Sequence, residues 1–145
     1  MIVVVADTSG LLAAIDETHP DGDGARRVLD DAGTLVISPA LLSELDHVAR
    51  RIFGRQGAYQ VIEDVRHRTE EERAVIPEVT ASILDTAQRV RARYRDLQLD
   101  LADAVNVAFA ARFRTNAMLT LDRRDFRAIR PLTDHHSFQL LPDDV

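Results

Sequence analysis

The chain has 145 residues, of which 46% are hydrophobic and 29% are charged, and we expect residues 1–145 to form a single globular domain. It contains no cysteine, which excludes disulfides and thiolate metal sites. No apolar segment approaches membrane-spanning length, and Asp7 interrupts the N-terminal one too early for a signal peptide, so we expect a cytoplasmic protein with no membrane partner.

Charge is unevenly distributed along the chain. The formal net charge is −6, which taken alone argues against a nucleic-acid-binding protein. Residues 89–130, however, contain ten arginines and only five acidic residues, and we expect some of these arginines to contact phosphates. The chain contains no lysine, so all 18 of its lysine and arginine residues are arginine. Genomic base composition explains this bias, although arginine also binds phosphate in a bidentate way. The absence of lysine excludes a P-loop nucleotide binder.

The first twelve residues predict a buried strand that ends at an acidic residue. Residues 2–5 are four consecutive β-branched residues, which is typical of the central strand of a parallel sheet. Asp7 follows this strand and precedes a helical pattern over 11–15. Ligands of open α/β sheets bind at the carboxyl ends of the strands, so Asp7 is a candidate site residue. The alternative is that Asp7 only caps the following helix.

Glu44 belongs to a helix predicted over 39–53, which begins at the pair Ser38-Pro39. The apolar stripe of this helix covers about a third of its circumference and leaves Glu44 just past the edge. A carboxylate at that margin can reach a cleft beside the core without being buried in it. The alternative is a solvated glutamate on an exposed helix face.

A second acidic residue of interest, Asp103, lies near the start of a predicted helix over 101–113. This helix is apolar nearly all round, which indicates that it is buried. Asn106 lies one turn further along the same face as Asp103. In the alternative interpretation Asp100 caps the helix and Asp103 interacts with its dipole. The two interpretations are compatible, because one carboxylate can serve the helix end while the other binds a metal.

The remaining pattern alternates strands with helices. Asp122 ends an apolar strand predicted over 117–121, residues 123–126 are expected to turn away from it, and residues 127–136 are expected to form a surface loop. Gly54 and Gly57 interrupt the helical pattern that follows Glu44. Other helices are predicted over 25–32, 58–67 and 81–94, and other strands over 35–37, 73–76 and 138–141. This alternation predicts an α/β fold, with three layers (α/β/α) around a mostly parallel sheet.

Four acidic residues from distant segments are therefore expected at one edge of the sheet, namely Asp7, Glu44, Asp103 and Asp122. Carboxylates crowded in a cleft repel each other unless a cation neutralises them. Hard oxygen ligands without cysteine favour Mg²⁺ or Mn²⁺. Such ions activate water and stabilise the charge of a phosphodiester during hydrolysis. The chemistry predicted is metal-assisted hydrolysis of a phosphate ester.

The chain also resembles a known family, the PIN-domain ribonucleases, and among them the VapC toxins of bacterial toxin–antitoxin pairs. The resemblance covers essentially the whole chain. It depends on four motifs in this order and spacing: Asp7-Thr8-Ser9, Ser43-Glu44-Leu45, Leu101-Ala102-Asp103-Ala104, and Leu119-Thr120-Leu121-Asp122-Arg123-Arg124-Asp125-Phe126.

The resemblance implies a PIN-like fold and a Mg²⁺-dependent endoribonuclease (Mn²⁺ is possible) that acts as a toxin on structured RNA such as tRNA or rRNA. It implies that Asp7 and Asp103 bind the metal. In our hypothesis Glu44 completes the shell and helps to deprotonate the attacking water, and Asp122 orients the water network. A hydroxyl of Thr8 or Ser9 is expected in the site. Asp125 could replace Asp122, and Asp100 adds an acid that the motif does not require.

The resemblance further implies two protein partners, a VapB-like antitoxin and a second copy of the chain in a homodimer. Phe53 and Tyr59 are candidates for a partner surface, with core packing as the alternative. Two other functions remain open at this point. The chain could be a non-toxin PIN-fold nuclease acting on other RNA or on DNA, since phosphates carry no sequence information. It could also be a catalytically inactive binding module on the same fold.

Overall fold

A five-stranded sheet forms the centre of the structure, a computed structural model that describes residues 2–145. All strand pairs are parallel, and the spatial order is β3-β2-β1-β4-β5. The strands are β1 (Val3–Ala6), β2 (Thr34–Ile37), β3 (Ala74–Val75), β4 (Ala117–Leu119) and β5 (Gln139–Leu141). The prediction that the β-branched N-terminal run forms a central parallel strand is therefore confirmed.

Helices connect the strands and cover both faces of the sheet. They are α1 (Thr8–Ile15), α2 (Gly22–Asp31), α3 (Pro39–Glu70), α4 (Ala81–Arg93), α5 (Leu101–Arg112) and α6 (Arg123–Ala128), with a 3₁₀ turn at Arg95–Leu97. Within residues 2–145, we find no helix whose length and apolar character would let it cross a membrane.

The core lies in two layers because successive side chains of a strand point to opposite faces. On one face, Val4 and Ala6 of β1 pack with buried residues of α1, α2 and α3. On the other face, Val5 packs with buried residues of α4 and α5 and with Phe126 of α6. The predicted three-layer α/β/α fold is thus confirmed.

The region of α3 (Pro39–Glu70) contains the predicted pair of helices, because non-helical backbone at Gly54 separates two helical segments. Gly54 has φ 79° and ψ 179°, a conformation that residues with a Cβ rarely adopt. The predicted break at Gly54 is therefore confirmed. Gly57 lies inside the second segment instead of marking a boundary, and this segment continues to Glu70, beyond the predicted end at residue 67.

The segment after β4 also differs from expectation. The strand ends at Leu119 instead of at residue 121, and a short helix, α6, forms where a turn and a loop were predicted. The side chain of Asp122 accepts a hydrogen bond from the Asp125 amide at 3.5 Å and so caps this helix. Phe126 of α6 is fully buried and packs edge-on against Phe138. One buried aromatic and one cap thus stabilise a helix too short to show a periodic pattern.

Candidate active site

Asp7 lies at the carboxyl end of the central strand, at the first turn of α1. Its Oδ1 accepts a hydrogen bond from the Thr8 amide at 2.8 Å, and its own amide donates to the Leu119 carbonyl at 2.9 Å. The backbone of Asp7 is extended (φ −103°, ψ 159°), as expected for an N-cap residue. The capping interpretation is therefore confirmed for one carboxylate oxygen. Only 9% of the residue is exposed.

The second carboxylate oxygen of Asp7 is bound by two hydroxyl groups. Ser9 Oγ donates to Asp7 Oδ2 at 3.2 Å, and Thr120 Oγ1 donates to the same oxygen at 2.9 Å. Thr120 Oγ1 also accepts a hydrogen bond from the Asp122 amide at 3.0 Å. The close packing that permits this contact requires Gly10, because a Cβ there would lie 2.4 Å from the Leu119 carbonyl oxygen. Asp7 is thus linked through Thr120 to the loop that carries Asp122.

Three further acids, one on α5 and two at the start of α6, lie close together. Asp100 caps α5, and its Oδ1 accepts a hydrogen bond from the Asp103 amide at 2.8 Å. The carboxylate of Asp103, which is half-buried, faces those of Asp122 and Asp125. One oxygen from each of Asp103, Asp122 and Asp125 lies within 4.8 Å of the others. We call these three residues the acidic triad.

Burial and mutual repulsion disfavour the charged form of these acids. The pKa of Asp103 is raised to about 8, first by burial and then by the charges of Asp100, Asp7 and Asp122. Burial also raises the pKa of Asp7 and the pKa of Asp122. Within residues 2–145, neither Asp7 nor any member of the acidic triad forms a salt bridge with an arginine or histidine. The described chain therefore leaves this negative charge without a directly paired cation.

Glu44 stands apart from this arrangement. It lies on α3, which begins after β2 at the same edge of the sheet, but its side chain is exposed. It is not a member of the acidic triad. In the part of the chain that the structure describes, its carboxylate makes neither a hydrogen bond nor a salt bridge. Glu44 lies in the second turn of α3 and is therefore further from the end of its strand than Asp7, which directly follows β1.

Asn106 adds a buried polar group beside these acids. It is completely buried among apolar residues of α5, and its Nδ2 donates a long hydrogen bond of 3.4 Å to the carbonyl of Ala6, the residue before Asp7. Its Oδ1 is buried and has no hydrogen-bond partner among the described residues. Asn106 therefore connects the helix of Asp103 to the strand of Asp7.

Comparison with known families gives a match that extends over most of the chain. A family model described as "PIN domain" matches residues 4–131. The chain belongs to the PIN-domain family. Over 130 residues it is 35% identical to ribonuclease VapC26 of Mycobacterium tuberculosis, an alignment that covers 89% of this chain and 93% of that protein. The predicted resemblance to VapC-type PIN domains is confirmed.

Solved structures show the same fold at lower identity. Mycobacterium tuberculosis VapC20, described as a sarcin-ricin loop cleaving toxin, superposes with a TM-score of 0.72 at 19% identity, covering 83% of this chain and 91% of that one. A toxin–antitoxin complex from Klebsiella pneumoniae superposes with a TM-score of 0.60 at 21% identity, covering 87% of this chain and 92% of that one. VapBC2 from Rickettsia felis, bound to a promoter DNA fragment, superposes with a TM-score of 0.66 at 16% identity, covering 91% of this chain and 96% of that one.

The donor atoms of this PIN domain fit a divalent cation. The acidic triad offers carboxylate oxygens close enough together to share one ion, and such hard donors suit Mg²⁺ or Mn²⁺. A bound cation would also lower the raised pKa of Asp103, because it favours the charged carboxylate. Asp103, Asp122 and Asp125 are thus able to hold the metal, with Asp7 beside them.

Sequence reasoning about this PIN domain found some of these residues and missed others. Asp7, Asp103 and Asp122 are brought together as expected, and the hydroxyl of Ser9 binds Asp7. Thr120 was not predicted, although a polar residue between Leu119 and Leu121 at the end of a strand is a usable signal. Asp125 was considered only as a replacement for Asp122, whereas both carboxylates lie beside Asp103.

Proposed function

We propose that this PIN domain is a metal-dependent endoribonuclease and the toxin of a toxin–antitoxin pair. The observation that carries the proposal is the group of acids at the carboxyl edge of the sheet that has no salt-bridge partner in residues 2–145 and includes Asp103, whose pKa is raised to about 8. Such a group is costly for the folded chain alone and is explained by an external cation. The relationship to a ribonuclease supports RNA as the substrate.

Each acid has a distinct part in the proposed hydrolysis. Asp7 and Asp103 would hold the metal and Asp122 would orient the attacking water. Glu44 would accept a proton from that water, which requires its exposed side chain to turn from α3 toward the other acids. Water attacks the phosphorus, one P–O bond of the backbone breaks, and the leaving oxygen takes up a proton. A bound Mg²⁺ or Mn²⁺ supplies electrostatic stabilisation of the phosphodiester and a lower pKa for the water. Asp125, a member of the acidic triad, is an additional candidate ligand.

We infer that the substrate is a structured RNA such as tRNA or rRNA. This inference is supported by the similar fold of a VapC protein described as cleaving the sarcin-ricin loop. A PIN nuclease of DNA or of other RNA is the competing function, because metal and arginine contacts recognise any phosphate. Incubation of the protein with total tRNA, rRNA, and single- and double-stranded DNA in Mg²⁺ distinguishes these substrates. Cleavage restricted to DNA would contradict the proposal.

The catalytic test compares three carboxamide variants with a matched control. We expect Asp7→Asn and Asp103→Asn to lower RNA cleavage by orders of magnitude, because each removes a charge that cation binding requires. Glu44→Gln should lower cleavage by about tenfold to a hundredfold, in the range of general acid–base contributions. Asp46→Asn is the control, since Asp46 pairs with Arg50 on α3 at 3.7 Å. Wild-type cleavage in excess EDTA, or in folded Asp103→Asn, would refute metal-dependent catalysis.

The proposed antitoxin is a second polypeptide that binds an apolar groove. Two of the similar structures are toxin–antitoxin assemblies by their descriptions. A cavity of about 520 Å³ lies between α1, α2 and the second half of α3, with an apolar floor that includes Ile15, Leu29 and Val61. Charged side chains, including those of Arg68 and Asp64, also line it. An amphipathic helix with an apolar face suits such a groove.

The region around Phe53 and Tyr59 is the alternative antitoxin surface. Tyr59 is 65% exposed, whereas Phe53 packs partly against the core. Co-expression with the product of the neighbouring small gene, followed by pull-down, tests both surfaces. We expect Ile15→Arg to abolish the complex and Tyr59→Arg to preserve it. Loss of binding only in Tyr59→Arg would move the antitoxin to the kink in α3.

A homodimer is the second proposed assembly. Ile52 and Tyr59 are large apolar side chains that remain exposed on either side of the Gly54 kink, as expected of a surface that a partner covers. Sedimentation velocity of the purified protein over a wide concentration range measures the state directly. A monomer at every concentration would contradict the dimer, and a dimer that Ile52→Arg dissociates would support it.

A further inference from the structure

A second recess is lined by residues that precede Asp100 in the chain, and none of them is acidic. Its volume is about 420 Å³, and it is bounded by the last turns of α4, the 3₁₀ turn and the segment that leads into α5. Its lining residues are polar or basic except for Ala92 and Leu99; they are Gln88, Arg91, Ala92, Arg95, Gln98 and Leu99. The recess contains two guanidinium groups and two amides but no carboxylate.

The guanidinium groups of this recess have free hydrogen-bonding capacity. Arg91 Nε donates to the Leu99 carbonyl at 3.1 Å and its Nη1 donates to Gln88 Oε1 at 3.1 Å, which fixes the side chain at the wall. Within residues 2–145, the side chain of Arg95 makes no hydrogen bond and no salt bridge. Arg89, on another face of α4, is instead paired with Asp85 at 3.0 Å. The chain therefore neutralises one arginine of this helix and leaves those of the recess available to an anion.

The recess adjoins the acids through a short piece of backbone. Leu99, which lines the recess, directly precedes Asp100. Asp100 in turn accepts the hydrogen bond from the Asp103 amide. Asp103 lies in the first turn of α5, so one short segment of chain joins the recess to this acid.

We propose that the recess binds a nucleotide of the RNA substrate that flanks the scissile phosphate. Arg95 and Arg91 contact its phosphate, and Gln98 hydrogen-bonds an edge of its base, which gives the enzyme a preference at that position. This inference rests on the proposed ribonuclease function and assigns it a substrate subsite.

Arg95 provides the clean test, because Arg91 also supports the wall of the recess. The affinity of a short RNA stem–loop is measured by fluorescence anisotropy in the cleavage-deficient Asp103→Asn parent, over a series of salt concentrations. Arg95→Ala should weaken binding about tenfold at low salt, and the slope of log K against log salt should fall by about 1, the loss expected for one phosphate contact. Arg89→Ala removes the same charge from α4, outside the lining of the recess, and should leave both quantities near the parent values.

Gln98 tests the base contact separately. Gln98 has a left-handed backbone conformation with φ 53°, which asparagine tolerates better than most residues. In an otherwise unaltered chain, Gln98→Asn should change the base preference at one position beside the cut in a library of randomised loops. An unchanged preference would overturn the base contact.

The outcomes separate the subsite from the function. Equal losses in Arg95→Ala and Arg89→Ala, or no loss in either, would overturn the subsite while the unaltered chain still cleaves RNA. Failure of the unaltered chain to cleave any RNA in Mg²⁺ would overturn the proposed function itself. Arg95→Lys keeps the charge without the planar fork and should recover part of the affinity, provided that circular dichroism shows all variants to be folded.

Discussion

Two groups of aspartates at α6 have opposite electrostatic surroundings. On one side are Asp122 and Asp125, which belong to the acidic triad with Asp103. On the other side are Asp143 and Asp144 near the C-terminus, which we call the tail pair. Both groups contact the same short helix, so the comparison holds the local fold nearly constant while the charge environment changes.

The tail pair is neutralised by arginines of α6. Arg127 makes two hydrogen bonds of 2.6 Å to the carboxylate of Asp144, and Arg123 lies 3.1 Å from Asp143. The Leu140 amide also donates to Asp144 at 2.8 Å. The hydrogen bonds from Arg127 and from the Leu140 amide lower the pKa of Asp144 to about 2. These carboxylates therefore stabilise the folded chain by joining α6 to the end of β5.

The acidic triad lacks any such partner in the described chain, and the pKa of Asp103 is raised to about 8. Arg123 and Arg127 are close in sequence to Asp122 and Asp125, yet they point to the tail pair. Two arginines close to the triad in sequence therefore pair with the tail pair instead. Acids without a paired cation are available to bind one, whereas paired acids such as Asp143 and Asp144 stabilise the fold.

The largest expected effect comes from removing one charge from each group. Asp103→Asn should lower RNA cleavage by orders of magnitude and leave the melting temperature of the metal-free protein unchanged or higher, because repulsion among the acids is relieved. Asp144→Asn should leave cleavage within about twofold and lower stability by about 1 kcal/mol, as expected for a partly exposed ion pair with an added hydrogen bond.

Cleavage assays with Mg²⁺ and thermal melts in EDTA measure both quantities for both variants. Asp7→Asn is the internal comparison for the first group, since it removes a neighbouring charge together with a helix cap worth about 1 kcal/mol. A large loss of stability in metal-free Asp103→Asn with retained cleavage would show that Asp103 is only a structural residue and would remove the contrast.

The two groups should also respond to pH in opposite directions. The folded-state pKa of Asp103 is raised above its unfolded value of 3.8 to about 8, so its contribution to stability is present below pH 4 and is lost as pH rises toward 8. The pKa of Asp144 is lowered to about 2, so its contribution is present above pH 4 and is lost as pH falls toward 2.

Thermal melts of the metal-free protein between pH 4 and pH 9 measure this dependence. We expect Asp103→Asn to flatten the fall in melting temperature as the pH rises through 8, the value to which the pKa of Asp103 is raised. The same proton competes with a cation, so the affinity for Mg²⁺ in calorimetry should rise over this range. Identical pH profiles for Asp103→Asn and the unaltered chain would contradict the raised pKa.

The sequence predicts the fold well because elements that are covered on all sides consist of runs of apolar residues. The non-alternating run over 2–5 and the nearly all-apolar run over 101–113 both correspond to buried elements, β1 and α5. The short helix α6 escaped prediction, since six residues are too few for a period and a single buried side chain, Phe126, holds it in place.

The site is less fully predictable because the sequence does not show which side chains each acid contacts in the folded chain. Strand ends and helix starts located Asp7 and Asp103, which the fold brings near each other. The position of Glu44 on its helix left two interpretations open, a cleft residue and a solvated glutamate, and the exposed side chain in the structure fits the second. The sequence around Arg123 also does not show that its side chain pairs with Asp143, because this contact depends on where the fold places the C-terminal residues.

A smaller effect is expected from the hydroxyl that joins Asp7 to the loop of Asp122. Thr120→Val keeps the shape but removes the hydrogen bonds of Oγ1 to Asp7 and from the Asp122 amide, together with its contact to Ser9 Oγ at 3.3 Å. The pKa of Asp7 should rise further, since the Thr120 hydrogen bond lowers it. We expect cleavage to fall about tenfold, as for other residues that orient metal ligands.

Thr115→Val is the matched control for Thr120→Val. Thr115 makes the same kind of paired hydrogen bonds, to the Val3 carbonyl at 2.6 Å and from the Ala117 amide at 3.1 Å, but before β4 begins. Both variants should lose similar stability in thermal melts, while only Thr120→Val loses activity. Equal activity in the two variants would show that Thr120 has no role beyond packing.

The smallest effect on stability is expected at Asn106, whose Oδ1 is buried without a partner. A buried amide that is only half satisfied destabilises a helix that is otherwise apolar, so Asn106→Leu should leave the melting temperature unchanged or raise it. The lost hydrogen bond to the Ala6 carbonyl should loosen the spacing between Asp103 and Asp7 and weaken Mg²⁺ binding about tenfold in calorimetry.

Asn116→Leu removes a comparable hydrogen bond, from Nδ2 to the Ser137 carbonyl at 3.0 Å, and should leave Mg²⁺ binding unchanged. Wild-type affinity in Asn106→Leu would mean that the fold tolerates this polar group without using it to set the acids.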